Sequence, residues 1–168
     1  MPNLLLAEQL PAIESFEYDN IGKKITWYED KTSLLDIADV RALDSLGEFK
    51  VGEHEILNFG QSKSAFWLKV RFKVRNEYPL QLILDAPNVE HIDYYWTDQD
   101  GNTHVLKSGC LHNEVQGVSI SNSFMFKLPS LKAGQEAIVY LKLKASNILM
   151  APIKISTADG ILKGAAFK

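Results

Sequence analysis

Three short stretches set aromatic and charged side chains two residues apart: Trp67-x-Lys69, His91-x-Asp93-x-Tyr95 and Tyr140-x-Lys142. In an extended chain residues i and i+2 point the same way, so each stretch aims its members at one face. A flat ring stacks on the apolar C–H face of a sugar, and neighbouring charged groups satisfy hydroxyls or carboxylates. If the three stretches are neighbours in one sheet, Trp67, Lys69, His91, Asp93, Tyr95, Tyr140 and Lys142 form a ligand-binding surface for a carbohydrate or similar small polar molecule. A plainer account stays open, because aromatic and long charged side chains also stabilise solvated sheets without any ligand. The two accounts part at Trp67. Facing a ligand, Trp67→Ala removes binding and leaves the melting temperature near that of the parent; in a core, the same change unfolds the domain.

Other reactive groups are less suggestively spaced. The histidines His54, His91, His104 and His112 form no close pair, and only Cys110-x-His112 with His104 nearby hints at a metal. No metal site is expected. Asp85 and Asp93 fall on strands expected to be adjacent, so their spacing leaves a glycosidase carboxylate pair open. No Gly-x-Ser-x-Gly elbow, phosphate loop or dinucleotide fingerprint accompanies them, and neither an enzyme nor a cofactor is expected. Cys110 is the sole cysteine and makes no internal disulfide.

The elements that must carry these residues are strands. Alternation of period two, rich in β-branched and aromatic residues, recurs at 23–28, 65–74, 80–85, 90–97, 103–107, 123–128, 137–144 and 152–156. Turn chemistry separates them at Asn76 to Pro79, Ala86-Pro87-Asn88, Asp98 to Gly101 and Lys132-Ala133-Gly134. Sorting by face buries Phe66, Leu68, Val70 and Phe72 on one strand, Ile92, Tyr94 and Trp96 on a second, and Val139, Leu141 and Leu143 on a third. The expected fold is all-β: an antiparallel β-sandwich, jelly-roll-like and resembling a carbohydrate-binding module, with one short helix. Thr32 or Ser33 is expected to cap that helix, with Asp36 in its first turn and Leu34, Leu35, Ile37, Val40 and Leu43 as its apolar face. It is read as a lid on the sandwich.

A chain of 168 residues supports one substantial core, so a single domain is expected. The net charge of −3 comes from acidic and basic residues mixed along the chain, which leaves no basic stripe for nucleic acid. Residues 1–22 read as a leader or its remnant with a first strand region, 23–158 as the sandwich, and 159–168 as a tail towards a membrane region outside this sequence. No apolar run reaches the roughly 18 to 20 residues of a spanning helix.

Three stretches and their order are more particular. Trp27-Tyr28-Glu29-Asp30 is followed by the turn Asn58-Phe59-Gly60, which leads into the strand Ala65-Phe66-Trp67-Leu68-Lys69, and later by Tyr140-Leu141-Lys142. Over residues 25–156 this resembles the second extracellular domain type of bacterial seven-transmembrane receptors with diverse intracellular signalling modules. The resemblance implies a periplasmic jelly-roll sensor domain that binds carbohydrates or related small molecules. It further implies attachment to seven membrane helices and an output such as a diguanylate cyclase or histidine kinase. The competing expectation is an interaction module that docks a protein or a second copy as a homodimer. Lys69 and Lys142 stand where the family usually carries arginine, keeping the charge and losing the planar fork. Cys110 after Gly109, and Gly117-Val118 further on, also depart from the family pattern of aspartate and arginine.

Overall fold

The computed structural model describes residues 10–14, 19–73, 79–111, 123–132 and 134–157, and the backbone alone of 118–120. Residues 1–9 and 15–18 of the predicted leader region, the turn at 76–78, His112, Gly117 and the tail from 159 lie outside the described residues.

All eight predicted strands form, within a residue or three of their expected ends. They are β1 (Thr26–Asp30), β4 (Ala65–Phe72), β5 (Leu80–Leu84), β6 (His91–Thr97), β7 (Thr103–Ser108), β9 (Ser123–Lys127), β10 (Ala137–Lys144) and β12 (Ile153–Thr157). Four shorter strands join them: β2 (Lys50–Val51), β3 (Leu57–Gln61), β8 (Val118–Ile120) and β11 (Ile148–Ala151). β3 contains Gly60 and β11 runs Ile148-Leu149-Met150-Ala151, and neither alternates apolar with polar residues cleanly enough to be read from spacing.

Hydrogen bonding orders a six-stranded sheet as β2-β1-β4-β10-β6-β7, a four-stranded sheet as β12-β5-β9-β8, and a pair β11-β3. Each of these strand pairs is antiparallel. The chain crosses from one large sheet to the other between β4 and β5 and again between β5 and β6, which gives an antiparallel sandwich of jelly-roll type. The glycosidase pairing left open for Asp85 and Asp93 is thereby corrected. β5 pairs with β12 and β9, whereas β6 pairs with β10 and β7, so Asp85 follows a strand of one sheet and Asp93 lies on the other.

The core lies between the large sheets. Phe66, Leu68, Val70 and Phe72 from β4, Leu141 and Leu143 from β10, and Leu82 and Leu84 from β5 are at most 4% exposed. Burial of each such side chain contributes about 1.5–3 kcal/mol, so this interleaving outweighs any single turn. Tyr94 spans the layer: its ring stacks on Phe126 at 4.9 Å and its hydroxyl donates to the Lys127 carbonyl at 2.9 Å.

The helix α1 runs Ile37–Ser45, later than a cap at Thr32 or Ser33 would place it. Asp36 is the N-cap. Its side chain accepts from the Asp39 amide at 2.8 Å, while the Asp39 carboxylate accepts from the Asp36 amide at 3.1 Å. Thr32 and Ser33 are committed to a turn instead, and Ser33 takes a positive φ of 59°. At the far end Gly47 adopts φ 77°, its amide donating to the Asp44 carbonyl while the Glu48 amide reaches the Leu43 carbonyl. That left-handed closure suits glycine. A nine-residue helix is too short to persist in water by itself, so α1 depends on the surface under it.

Candidate functional site

The strands carrying the seven expected residues are neighbours: β4, β10 and β6 lie side by side in the six-stranded sheet. Register then draws lines across its outer face. Tyr28, Trp67, Lys142, Asp93 and Lys107 face one another in sequence across five strands. The next line holds Lys69, Tyr140 and Tyr95, and Lys144 opposes His91 beyond. Alternation had sorted these side chains to the face opposite the sandwich core, and they are there.

That face is not an open platform. Trp67 is 0% exposed and Tyr140 5%, and both belong to a second apolar cluster with Val40 and Phe49. Leu35, Ile37 and Leu43 from α1 and its approach pack against the cluster, together with Tyr28 and Tyr95. The expectation that Trp67 and Tyr140 look outward to solvent is therefore corrected. The helix read as a lid seats directly on them: its apolar stripe covers those rings, and that packing in turn stabilises the short helix. Leu34, expected in that stripe, is instead 85% exposed.

Under and beside α1, contacts join Trp67, Tyr95 and Lys142, and Asp44 joins Lys69 to Tyr140. Trp67 stacks on Tyr95 with ring centroids 5.5 Å apart, and the Lys142 ammonium sits 5.5 Å from the centre of the Trp67 ring. Lys142 Nζ also reaches the Ser33 carbonyl at 3.4 Å. The Lys69 ammonium donates to Asp44 Oδ2, and the Tyr140 hydroxyl donates to the same oxygen at 2.9 Å. Burial, then the charge and hydrogen bond of Asp44, push the Tyr140 phenol well above its ordinary value. Tyr95 is half-buried; burial, then the charges of Asp93 and Asp36, push its phenol up as well. Asp93 lies 3.5 Å from Lys107, and His91 is exposed. The part of the set that solvent reaches is thus Lys69, Asp93, Tyr95 and Lys142, each partly exposed, and His91, which is exposed.

Asp44 escaped the reading of the sequence, although a signal was present. It falls four residues after Val40 and so lies on the buried stripe of α1, where a carboxylate is out of place unless the opposing surface supplies donors.

A separate concavity lies elsewhere. A cleft of about 540 Å³ opens at the end of the sandwich, lined by Trp96, Asp98, Gln99, Ser130, Gln135 and Glu136 among others. None of the seven expected residues lines it. His104, the histidine considered for a metal, stacks on Trp96 at 5.1 Å and holds Asp98 at 2.7 Å. Cys110 is exposed, and no group of three metal-ligating side chains occurs among the described residues.

The architecture defines a β-sandwich domain whose long sheet is capped by a helix, with no helix among the described residues long and apolar enough to cross a membrane. The chain belongs to the family described as 7TMR-DISM extracellular 2, the second extracellular domain type of seven-transmembrane receptors, whose model matches residues 22–157. It is an extracellular sensor-type domain of such receptors. No similar protein is found among curated sequences. Among solved structures the chain is similar to TmCBM61 in complex with β-1,4-galactotriose, at 12% identity and a TM-score of 0.45, with 85% of this chain and 99% of that one covered.

Proposed function

We propose that this domain is the periplasmic ligand-binding part of its receptor, that it binds a carbohydrate or similar small polar ligand without turnover, and that the ligand seats on the outer face of the six-stranded sheet beside α1. The observation carrying this reading is the line Trp67, Lys142, Asp93, Lys107, flanked by Lys69, Tyr140 and Tyr95, set by register on adjacent strands. Tyr95 and His91 offer rings, Asp93 and Lys142 offer charge, and Trp67 backs Tyr95 and holds the Lys142 ammonium from below. A receptor responds only when ligand has different affinities for its states, and a short helix seated on the same face is an element whose position a ligand can bias.

The test is calorimetry and thermal shift of the domain against mono- and oligosaccharides, amino acids and carboxylates. A ligand specific to the folded state raises the melting temperature by mass action. Binding lost in Tyr95→Ala and Lys142→Met but kept in Trp96→Ala supports the outer face. Loss confined to Trp96→Ala moves the ligand to the end cleft.

A second reading, an interaction or dimerisation module, is favoured by Leu34 and Leu46, which flank α1 at 85% and 74% exposure. A concentration-dependent dimer in sedimentation, abolished by Leu34→Glu with Leu46→Glu, together with silence across the ligand panel, would select it.

A further inference from the structure

Asp44 is oddly placed for a helical residue. It lies in the last turn of α1, where the exposed carbonyl ends of the helix disfavour negative charge, and no basic residue occupies that turn to offset it. What its carboxylate gains comes from the sheet. One oxygen, Oδ2, receives both the Lys69 ammonium and the Tyr140 hydroxyl, donors opposed to each other across β4 and β10. Two convergent donors, one charged and one directional, make a seat for a single carboxylate oxygen.

The surroundings favour an anion as well. Immediately beside Lys69 lies a depression of about 20 Å³, lined by Leu10, Pro11, Lys24, Thr26, Lys69 and Arg71. Three of those six side chains are cationic. Arg71 faces Glu136, with Nε 3.3 Å from Oε2. On the same outer face the Trp67 indole Nε1 is fully buried and has no hydrogen-bond partner. A buried donor left unmet costs about 1–3 kcal/mol, so a ligand oxygen that reached it would relieve that cost.

We infer that Lys69 and Tyr140 form a carboxylate subsite, that the chain's own Asp44 fills it when α1 is seated, and that the ligand displacing Asp44 is a carboxylate-bearing sugar of the uronic acid kind. This rests on the small-molecule reading above and narrows its ligand class. Asp44 is a tethered competitor: ligand carboxylate and Asp44 carboxylate exclude each other at the same two donors. Displacement frees the last turn of α1 from the sheet, which couples occupancy to the helix.

The experiment is isothermal titration of the whole domain with galacturonate and glucuronate beside galactose and glucose, on the parent, Asp44→Asn, and Lys69→Met. The parent is expected to bind a uronate at least about tenfold tighter than the matching neutral sugar. Asp44→Asn, by removing the charged competitor, is expected to tighten the uronate by about tenfold more, since apparent affinity rises with the fraction of sites left open. Lys69→Met is expected to abolish that preference. Equal affinity for acidic and neutral sugars, weaker uronate binding in Asp44→Asn, or an unchanged preference in Lys69→Met overturns the inference and leaves the sensor reading standing. If no sugar of either kind binds any variant, the carbohydrate reading falls with it. Should Asp44→Asn fail to fold, the comparison on the parent and Lys69→Met still decides the matter.

Discussion

The Asp30 carboxylate and the Leu35 amide lie 3.0 Å apart, and this bond joins the end of β1 to the segment that leads into α1. Asp30 is 2% exposed, and its other oxygen accepts from the Thr32 hydroxyl at 2.7 Å and from the amides of Thr32 and Ser33 at 3.1 and 3.0 Å. One side chain therefore shapes the whole turn that lays the helix on Trp67. Asp30→Ala strips an acceptor from three amides and a hydroxyl at once. A loss of about 2–3 kcal/mol in urea unfolding is expected, with Asp30→Asn costing about half as much because one acceptor remains. A loss below about 0.5 kcal/mol would mean that water replaces the carboxylate freely.

The same carboxylate sets a pH dependence. Burial pushes the Asp30 carboxyl up, but the hydrogen bonds from the Thr32 hydroxyl and from the Leu35, Ser33 and Thr32 amides outweigh it and hold it below its ordinary value. Asp98 is drawn down to about 2, chiefly by its hydrogen bond with His104 and by the Asn102 amide. A depressed folded value means stability that is fully present above the unfolded carboxylate value, about 3.9, and is lost as pH falls through the folded one. Unfolding midpoints are expected to drop as pH is lowered from about 4 to about 2. Asp30→Asn with Asp98→Asn should flatten that slope, and an unchanged slope in the double variant would assign acid sensitivity to other groups.

Trp67→Ala is expected to behave as a core deletion. The ring is fully buried beneath α1, and emptying such a site costs about 3–5 kcal/mol. Tyr95→Ala removes a half-buried ring and should cost about 1–2 kcal/mol, which makes it the better probe of ligand contact. A Trp67→Ala domain that melts with the parent would show that α1 does not rest on the sheet in solution.

Tyr94→Phe isolates one polar tie between the sheets. It deletes the hydroxyl that reaches the Lys127 carbonyl and keeps the ring against Phe126. Denaturation should report a loss of about 1 kcal/mol, and a neutral result would show that the Lys127 carbonyl finds water instead.

Strand-borne features were legible because period-two alternation is a local property. Phe66, Leu68, Val70 and Phe72 had only one way to be buried together, and the opposite pointing of Trp67 and Lys69 followed at once. What lay over Trp67 was not local. Its burial depends on a helix some thirty residues earlier, whose docking is written in Val40 and Asp44 rather than in β4. The helix start was misplaced for a related reason: Thr32 and Ser33 have good capping chemistry, but Asp30 had already claimed their amides for a turn. The end cleft depends on Trp96 meeting the segment 129–138, a contact between residues too distant for any spacing rule.

The position of β10 has a consequence for how the chain is made. β10 bonds to β4 on one side and β6 on the other, yet it is synthesised after both. Until residue 144 has emerged, the long sheet exists only as two fragments, β2-β1-β4 and β6-β7, each with an unpaired edge where β10 will lie. Non-local pairing of this kind is slow, and an unpaired edge invites association with another chain. Closure of the sheet, and with it the floor on which α1 rests, therefore waits until every other strand of that sheet has been made.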